Sequence, residues 1–428
     1  MKKALTLTVM ALICAAFLFA SPSAEKAASG KTQTVTVWHS AQGSNKDVFE
    51  DIARTFNETV GKDKGIYIDA VYQGKANDVL TKVKAALGTD TLADIAMMDA
   101  TAATDMNGSD ELVTIDRLGI DVSDILACGI SSYSSEKGLL ALPFNASALL
   151  FYYNKSVYDK AGVGAPSTLD EFAAIAPKTA GEGRTAFTGV PATFELSTFI
   201  GAQNGLSYMV DNRNGHDGGA TRTLFDTEGT YKAFLEKWKK LFDTGVCSPV
   251  SSGVTAEFTS GRTAAMLASS SNLALVLNTV ENQFEVGVAR VPAVNEKATG
   301  GTVISGGALF AFTESDAVKT VLEYLVSPEV QALWSEKTGY VPVSMAAYET
   351  ESYKTFLEKN PLYKVASDAL MDSDPGLANV WVPSAYSIYY SFQANIVDVI
   401  NGKNIDEAVK EMAAIVNSEI AAFRKQNN

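Results

Sequence analysis

The sequence predicts an α/β fold with a largely parallel sheet and helices on both of its faces. In the N-terminal quarter, apolar strands and amphipathic helices alternate at the spacing that is typical of βαβ units. The chain has 428 residues. About 400 of them remain after an N-terminal leader, enough for two large lobes.

The first elements are predicted from their hydrophobic periodicity. An alternating strand at 34–39 is followed by a helix with one apolar face at 45–57. The same pattern continues with a strand at 66–72, a helix at 78–87 and a buried strand at 94–98. Ligands of parallel sheets bind where the strands end, here at Trp38-His39-Ser40, Tyr72-Gln73-Gly74 and Asp99-Ala100-Thr101.

A secretory signal peptide is predicted at residues 1–23. A basic start precedes an apolar run at 4–20, and Ser21 and Ser23 supply the small residues of a cleavage site. The alternative is a lipoprotein acylated at Cys14, which the bulky residues before that cysteine and the apolar residues after it disfavour. The protein is therefore expected to be exported, to the periplasm or the outer face of the cytoplasmic membrane.

Residues 24–31 are small and polar, and they predict a flexible tether. The formal charge of the whole chain is −14, which argues against nucleic acid and anionic membranes as partners. Cys128 and Cys247 could form a disulfide in an oxidising compartment, but their spacing does not decide this. With His39 and His216 as the only histidines and no catalytic motif, the chain is predicted to be neither an enzyme nor a metal or cofactor protein.

The C-terminal half carries a further set of motifs. Ser327-Pro-Glu329 predicts a helix start, with an N-cap, a proline at the first position and an acidic first turn. Gly339 can end that helix with a positive φ that projects Tyr340 from the turn. Further motifs are Leu142-Pro-Phe-Asn-Ala-Ser147, Gly261-Arg-Thr-Ala-Ala-Met266 with the serines after it, and Gly306-Gly-Ala308.

In this order the motifs resemble family 1 extracellular solute-binding proteins of ABC importers, in which the tyrosine of a helix–Thr-Gly-Tyr element faces the ligand cleft. The resemblance covers essentially the whole mature chain and is greatest to the glycerol-3-phosphate-binding, Ugp-type branch. The segments shared with that branch include Trp38-His-Ser40, Tyr152-Tyr-Asn-Lys155, Asn204-Gly-Leu206 and Lys337-Thr-Gly-Tyr340. The resemblance implies a two-lobe periplasmic-binding-protein fold of type II with the ligand cleft between the lobes.

The resemblance also implies how the chain divides between the lobes. Lobe 1 is expected to contain residues 32–143 and 303–344, and lobe 2 residues 144–302 and 345–428. The chain is expected to cross between them near Pro143, near Thr302 and after Val343.

Ligand contacts carried over from that branch fall on Asp99, Ser147, Ser270, Gly307 and Tyr340, with Ser269 replacing Ser270 if the register slips by one. Each has a purely structural alternative. Asp99 could cap a helix, the two serines could bond only to the backbone, and Gly307 could serve turn geometry.

Two departures from the branch bear on the ligand. Ala76 stands where the relatives have an aromatic residue, and Tyr389 stands where they have an arginine that pairs with phosphate. A tyrosine supplies one neutral donor in place of a bidentate, charge-assisted pair. Phe194 aligns with a cleft tryptophan and, with Tyr389, offers an aromatic face for a sugar ring or a quaternary ammonium group.

The resulting expectation is an extracytoplasmic receptor, monomeric, that captures a small solute and delivers it to the transmembrane permease subunits of an ABC importer. A glycerophosphodiester or glycerol 3-phosphate is the first ligand class, and a neutral mono- or oligosaccharide is the alternative. An exported hydrolase or adhesin on the same scaffold is a remote third possibility.

Overall fold

The computed structural model describes residues 32–201, 207–295 and 301–427. The predicted signal peptide, the tether, Cys14 and the Asn204-Gly-Leu206 motif lie outside these ranges. The described strands are β1 (Gln33–His39), β2 (Ile66–Tyr72), β3 (Ile95–Met98), β4 (Ser134–Ser135), β5 (Gly138–Leu139), β6 (Leu142–Ser147), β7 (Leu149–Asn154), β8 (Phe187–Thr188), β9 (Cys247–Ser248), β10 (Ala265–Ser269), β11 (Val286–Arg290) and β12 (Ser305–Ala311).

Helices make up most of the remaining described chain. They are α1 (Ser44–Glu58), α2 (Val60–Lys64), α3 (Ala76–Ala86), α4 (Ala103–Met106), α5 (Ile115–Leu118), α6 (Ala127–Tyr133), α7 (Lys155–Ala161), α8 (Leu169–Thr179), α9 (Thr193–Gly201), α10 (Asp211–Gly215), α11 (Thr230–Phe242), α12 (Val254–Thr259), α13 (Leu273–Val280), α14 (Asp316–Leu325), α15 (Pro328–Thr338), α16 (Glu351–Lys359), α17 (Pro361–Met371), α18 (Ala385–Ile400) and α19 (Ile405–Asn427). Short 3-10 helices span Ala100–Ala102, Ser270–Asn272 and Ala346–Glu349.

The first sheet has the strand order β2-β1-β3-β12-β6. Strands β2, β1 and β3 are parallel, as the alternation of strands and helices predicts, and α1 and α3 cover them. Strand β12 runs antiparallel to both of its neighbours. The first sheet is therefore mixed, with three parallel strands followed by two antiparallel pairings.

The second sheet has the order β10-β7-β11, and both pairs are antiparallel. Side chains of β7 alternate between two apolar cores, because successive residues of a strand point to opposite faces. Phe151 packs in the core formed with helices α8, α11, α18 and α19, whereas Tyr152 packs on the opposite face, in the core that continues to the first sheet.

The passage from the first sheet to the second lies at Ala148, the single residue between β6 and β7. Pro143, near which the crossing was expected, lies inside β6, opposite Ala308 and beside a register shift. Proline is tolerated there because β6 is an edge strand and the missing N–H falls at an irregular point of the ladder.

The chain returns to the first sheet between β11 and β12, around the expected Thr302, and after Val343 it continues to α17, which packs against β11. The exact lobe boundaries stay a prediction. Cys128 and Cys247 are free thiols, each packed against a different core, so the described structure holds no disulfide between them.

Candidate functional site

A cavity of about 330 Å³ opens at the carboxyl ends of the first-sheet strands. It is called the first cavity below. Its lining is polar apart from two aromatic residues and two alanines, and it consists of Ser40, Ala41, Gln42, Asn45, Ala76, Asp99, Asn145, Ser305, Gly306, Gly307, Trp334 and Tyr340. Three predicted contacts, Asp99, Gly307 and Tyr340, are thus brought together, and the small side chain of Ala76 lies beside them.

Glycine is required at the floor of this cavity. Gly306 has φ of +115°, and a Cβ there would lie 1.7 Å from the carbonyl oxygen of Asn145. At Gly307 the nearest atoms to such a Cβ are 3.4 Å away, so the predicted contact has more room than its neighbour. The pair brings backbone close to any molecule in the first cavity.

Asn145 is a cavity residue that the sequence interpretation did not single out as a ligand contact. It is 8% exposed, and its Oδ1 has no hydrogen-bond partner among the described residues. A buried amide oxygen without a partner costs free energy that a ligand hydroxyl or amine can recover. Asn145 belongs to the Leu-Pro-Phe-Asn motif, and that motif is the feature of the sequence that could have indicated Asn145 as a ligand contact.

Asp99 follows β3 and has two kinds of partner. Its Oδ1 accepts from the backbone N–H of Thr101 at 3.0 Å and from the Thr101 hydroxyl, which is the helix-capping alternative. Its Oδ2 accepts from the hydroxyl of Tyr386 at 2.6 Å. Tyr386 lies on α18, so this hydrogen bond joins the first sheet to the helices that pack on the second.

Tyr340 follows the C-terminal turn of α15, where Gly339 adopts φ of +79° as the sequence predicts. The Tyr340 ring stacks on Trp334 with centroids 5.8 Å apart and an interplanar angle of 17°. Burial raises the pKa of the Tyr340 phenol, and a hydrogen bond with the side chain of Ser271 acts in the opposite direction. Tyr340 therefore presents a fixed aromatic surface between the first cavity and the serine turn after β10.

A second cavity of about 440 Å³ lies on the other side of that serine turn. The hydroxyls of Ser271 and Ser269 are 2.9 Å apart, and Ser269 lines the second cavity. The remaining lining is Phe187, Gly189, Val190, Pro191, Ala192, Phe194, Glu195, Ser251, Gly253, Val254, Thr255, Leu267, Ala268, Asn272 and Gln393. The predicted aromatic contact Phe194 is thus placed here, apart from Asp99.

The other predicted contacts, Ser147, Ser270, Trp38 and Tyr389, do not line either of these two cavities. Ser147 and Ser270 are each 1% exposed, and the Ser270 hydroxyl accepts from the backbone N–H of Ala148 at 3.2 Å, the backbone-bonding alternative. Trp38 is half-buried and packs against the apolar core of the first sheet. Their contact with a ligand stays a prediction.

Tyr389 is 5% exposed and packs in the core of α18 and its neighbouring helices. Burial raises the pKa of its phenol to about 12, a hydrogen bond with Ser197 lowers it, and the charge of Asp99 raises it. Tyr386, one turn earlier on α18, is the residue that hydrogen-bonds Asp99. Tyr386 and Tyr389 thus lie on the same helix, and the contact of Tyr389 with a ligand stays a prediction.

The electrostatics of both cavities are acidic. Among the described lining residues, Asp99 and Glu195 carry carboxyl groups, and none is a lysine or arginine. Burial raises the pKa of Glu195 to about 7, and a hydrogen bond from the Ala192 backbone N–H lowers it. The site therefore offers amides, hydroxyls, backbone N–H groups and aromatic faces, but no described cationic side chain.

Comparison with known proteins identifies the family. The model of the family described as "Bacterial extracellular solute-binding protein" matches residues 51–364. The chain belongs to this family. Its members bind small-molecule solutes for ABC importers and are not enzymes, which confirms the family and the non-catalytic role expected from the sequence.

Individual relatives are more distant. The chain is 28% identical to the sn-glycerol-3-phosphate-binding periplasmic protein UgpB of Escherichia coli K12, over 81% of this chain and 83% of that protein. The solved structure of UgpB from Mycobacterium tuberculosis in complex with glycerophosphocholine has a TM-score of 0.73 and 21% identity, covering 92% of this chain and 99% of the other. The sugar-binding protein MalE from Xanthomonas citri has a TM-score of 0.77 and 22% identity, with 92% and 98% coverage.

These structural neighbours confirm the two-lobe α/β fold. In the part of the chain that the structure describes, no helix is both long and apolar enough to cross a membrane.

Proposed function

We propose that this solute-binding protein is the extracytoplasmic receptor for a glycerophosphodiester, which it captures between its lobes and delivers to the permease subunits of an ABC importer. The relationship to UgpB supports the glycerol-phosphate class, and the complex of the mycobacterial UgpB with glycerophosphocholine supports a diester within it. The predicted leader at 1–23 supports an exported location.

The absence of lysine and arginine from the described lining of the two cavities is the observation that carries this proposal. A phosphate monoester is close to doubly charged at neutral pH, and desolvating it beside Asp99 without a cation is unfavourable. A phosphodiester carries one charge. Backbone N–H groups near Gly306 and Gly307 and the amide of Asn45 are the donors available to its oxygens.

The glycerol end of such a ligand suits the polar wall of the first cavity. Asp99 can accept hydrogen bonds from two hydroxyls, and Asn145 has an unpaired amide oxygen. Tyr386 already donates to Asp99, so a bound diol would share or replace that hydrogen bond.

A neutral mono- or oligosaccharide is the second candidate, and the same lack of cations favours it. The Tyr340 face, together with carboxylate and amide groups around it, is a combination that suits a pyranose. Sugar-binding MalE is among the structural neighbours, although its identity of 22% supports the fold alone.

Calorimetric titration with glycerol 3-phosphate, glycerophosphoglycerol and maltose separates the candidates. We expect the diester to bind at least about tenfold more tightly than the monoester, the equivalent of 1.4 kcal/mol. Asp99→Asn should weaken diester binding by about 1.5 kcal/mol or more, because a charged acceptor is lost. Asp90→Asn, at an exposed position, is the matched control. Binding of maltose alone would favour the second candidate, and tightest binding of glycerol 3-phosphate would refute the charge argument.

A further inference from the structure

The carboxylate of Asp99 already accepts several hydrogen bonds from the protein. A carboxylate has two oxygens and about four positions at which it can accept a hydrogen bond. Oδ1 accepts from two groups of Thr101, the backbone N–H at 3.0 Å and the side-chain hydroxyl. Oδ2 accepts from the hydroxyl of Tyr386 at 2.6 Å. The protein itself therefore fills three positions, which leaves about one for a ligand.

The three donor groups belong to two residues outside the first cavity. Asp99 lines that cavity, whereas Thr101 and Tyr386 are not among its described lining residues. Thr101 lies in the 3-10 helix that follows β3, and Tyr386 lies in the first turn of α18. The remaining acceptor position is therefore the one that a molecule in the first cavity can use.

The hydroxyl of Tyr386 stays a donor to Asp99. Burial and the negative charge of Asp99 raise the pKa of the Tyr386 phenol, so the hydroxyl keeps its proton at neutral pH. The distance of 2.6 Å lies in the range of charge-assisted hydrogen bonds from a hydroxyl to a carboxylate. A ligand hydroxyl that displaced Tyr386 would form one such bond and break another, with no net gain. A ligand hydroxyl at the remaining position adds a hydrogen bond without breaking one.

We propose that Tyr386 and Thr101 determine specificity at Asp99: both keep their hydrogen bonds to the carboxylate in the complex, so the ligand places one hydroxyl there and not a vicinal pair. This inference rests on the proposed function, because it specifies how the glycerol end of the ligand meets the first cavity. Asp99 contacts the ligand, and Tyr386 and Thr101 act through Asp99 as positioning residues.

Four diesters that carry the same single charge and differ only in their hydroxyls test this inference. They are the methyl diester of glycerol 3-phosphate, the two analogues that lack either its C1 or its C2 hydroxyl, and the analogue that lacks both. Calorimetric titration gives their affinities. The quantity compared between variants is the affinity ratio, which divides the affinity of the diol by that of the tighter-binding monohydroxy analogue. A general disturbance of the site weakens all four diesters alike and leaves the affinity ratio unchanged.

Two conservative variants each free one acceptor position. Tyr386→Phe removes the donor to Oδ2 and keeps the ring, and we expect it to raise the affinity ratio about tenfold, because the second hydroxyl then gains a charge-assisted hydrogen bond. Thr101→Val removes the hydroxyl donor to Oδ1, keeps the backbone N–H, and should raise the affinity ratio in the same direction. Tyr390→Phe, on the same helix as Tyr386 and 65% exposed, is the matched control and should leave the affinity ratio unchanged.

The outcomes distinguish this inference from the proposed function. If the diol binds to the wild type and both variants leave the affinity ratio within about twofold, the inference is refuted while diester binding stands. An equal weakening of all four diesters by Tyr386→Phe would also refute it, because Tyr386 would then serve only to join the two sheets. If none of the four binds to the wild type, both proposals are refuted.

Discussion

The hydrogen bond between Tyr386 and Asp99 gives the sharpest prediction about the cleft. It joins a helix of the second-sheet half to the end of β3, over 287 residues of sequence. A hydrogen bond to a charged acceptor contributes about 1.5–3 kcal/mol. Because both side chains are partly exposed, we expect Tyr386→Phe to lower the free energy of unfolding by about 1–2 kcal/mol.

The assay is a double-mutant cycle with Asp99→Ala, read from urea unfolding. For a chain of about 400 residues this loss shifts the melting temperature by only about 2 °C, so the urea midpoint is the better observable. We expect a coupling energy of about 1–2 kcal/mol between the two positions. Tyr390→Phe, at a position on α18 that is 65% exposed, should change nothing. A coupling below about 0.5 kcal/mol would show that the two lobes do not depend on this contact.

Three further predictions concern the two glycines at the floor of the first cavity, the two buried histidines and the effect of ligand on stability. Gly306→Ala should lower the free energy of unfolding by more than about 4 kcal/mol or prevent folding, because its Cβ would collide with the Asn145 carbonyl oxygen. Gly307→Ala should lower it by about 1 kcal/mol or less, and thermal melts of the two variants compare these effects. Burial lowers the pKa of His39 and of His216 to about 4 from the ordinary 6.5. As the pH falls, the histidines of the unfolded chain are therefore protonated before those of the folded chain. The free energy of unfolding should decrease from pH 6.5 towards pH 4 by up to about 3 kcal/mol for each histidine. His39→Gln should halve this decrease, as measured by urea unfolding at pH 6.5 and at pH 4. Saturation at about 100 Kd of ligand should add about 2.7 kcal/mol of stability with no product formed, and steady conversion of the ligand, followed by chromatography, would contradict this.

Patterns among neighbouring residues were sufficient to predict the strand and the turn that form part of the first cavity. The strand at 94–98 and the turn after α15 were predictable because periodicity, capping and the positive φ of Gly339 are set by neighbouring residues. The position of Asp99 at the end of a strand followed from the same periodicity, and its role as a contact came from the resemblance to the Ugp-type branch. These features give the position of the first cavity in the fold and three of the eight predicted contacts, Asp99, Gly307 and Tyr340.

Long-range features were not predictable from the same rules. The antiparallel entry of β12 depends on which strand it meets, and the place of Pro143 inside a strand depends on a register shift at the edge of the sheet. The partner of Asp99 lies on the last third of the chain, so no local pattern indicates it. The sequence also did not indicate that Tyr386, and not Tyr389, hydrogen-bonds Asp99, because packing decides which side chain of a helix reaches a distant strand.

The connection at Ala148 has a mechanical consequence. A single residue separates β6 from β7, and its N–H and carbonyl are both bonded to Ser270, at 3.2 Å and 2.8 Å. A link of this length spans one Cα–Cα step, about 3.8 Å, so at this crossing the two sheets can pivot but cannot slide apart. At this crossing the distance between the ends of β6 and β7 is fixed, so a wider or narrower gap between the sheets would require a rotation of one sheet against the other rather than a separation of the two.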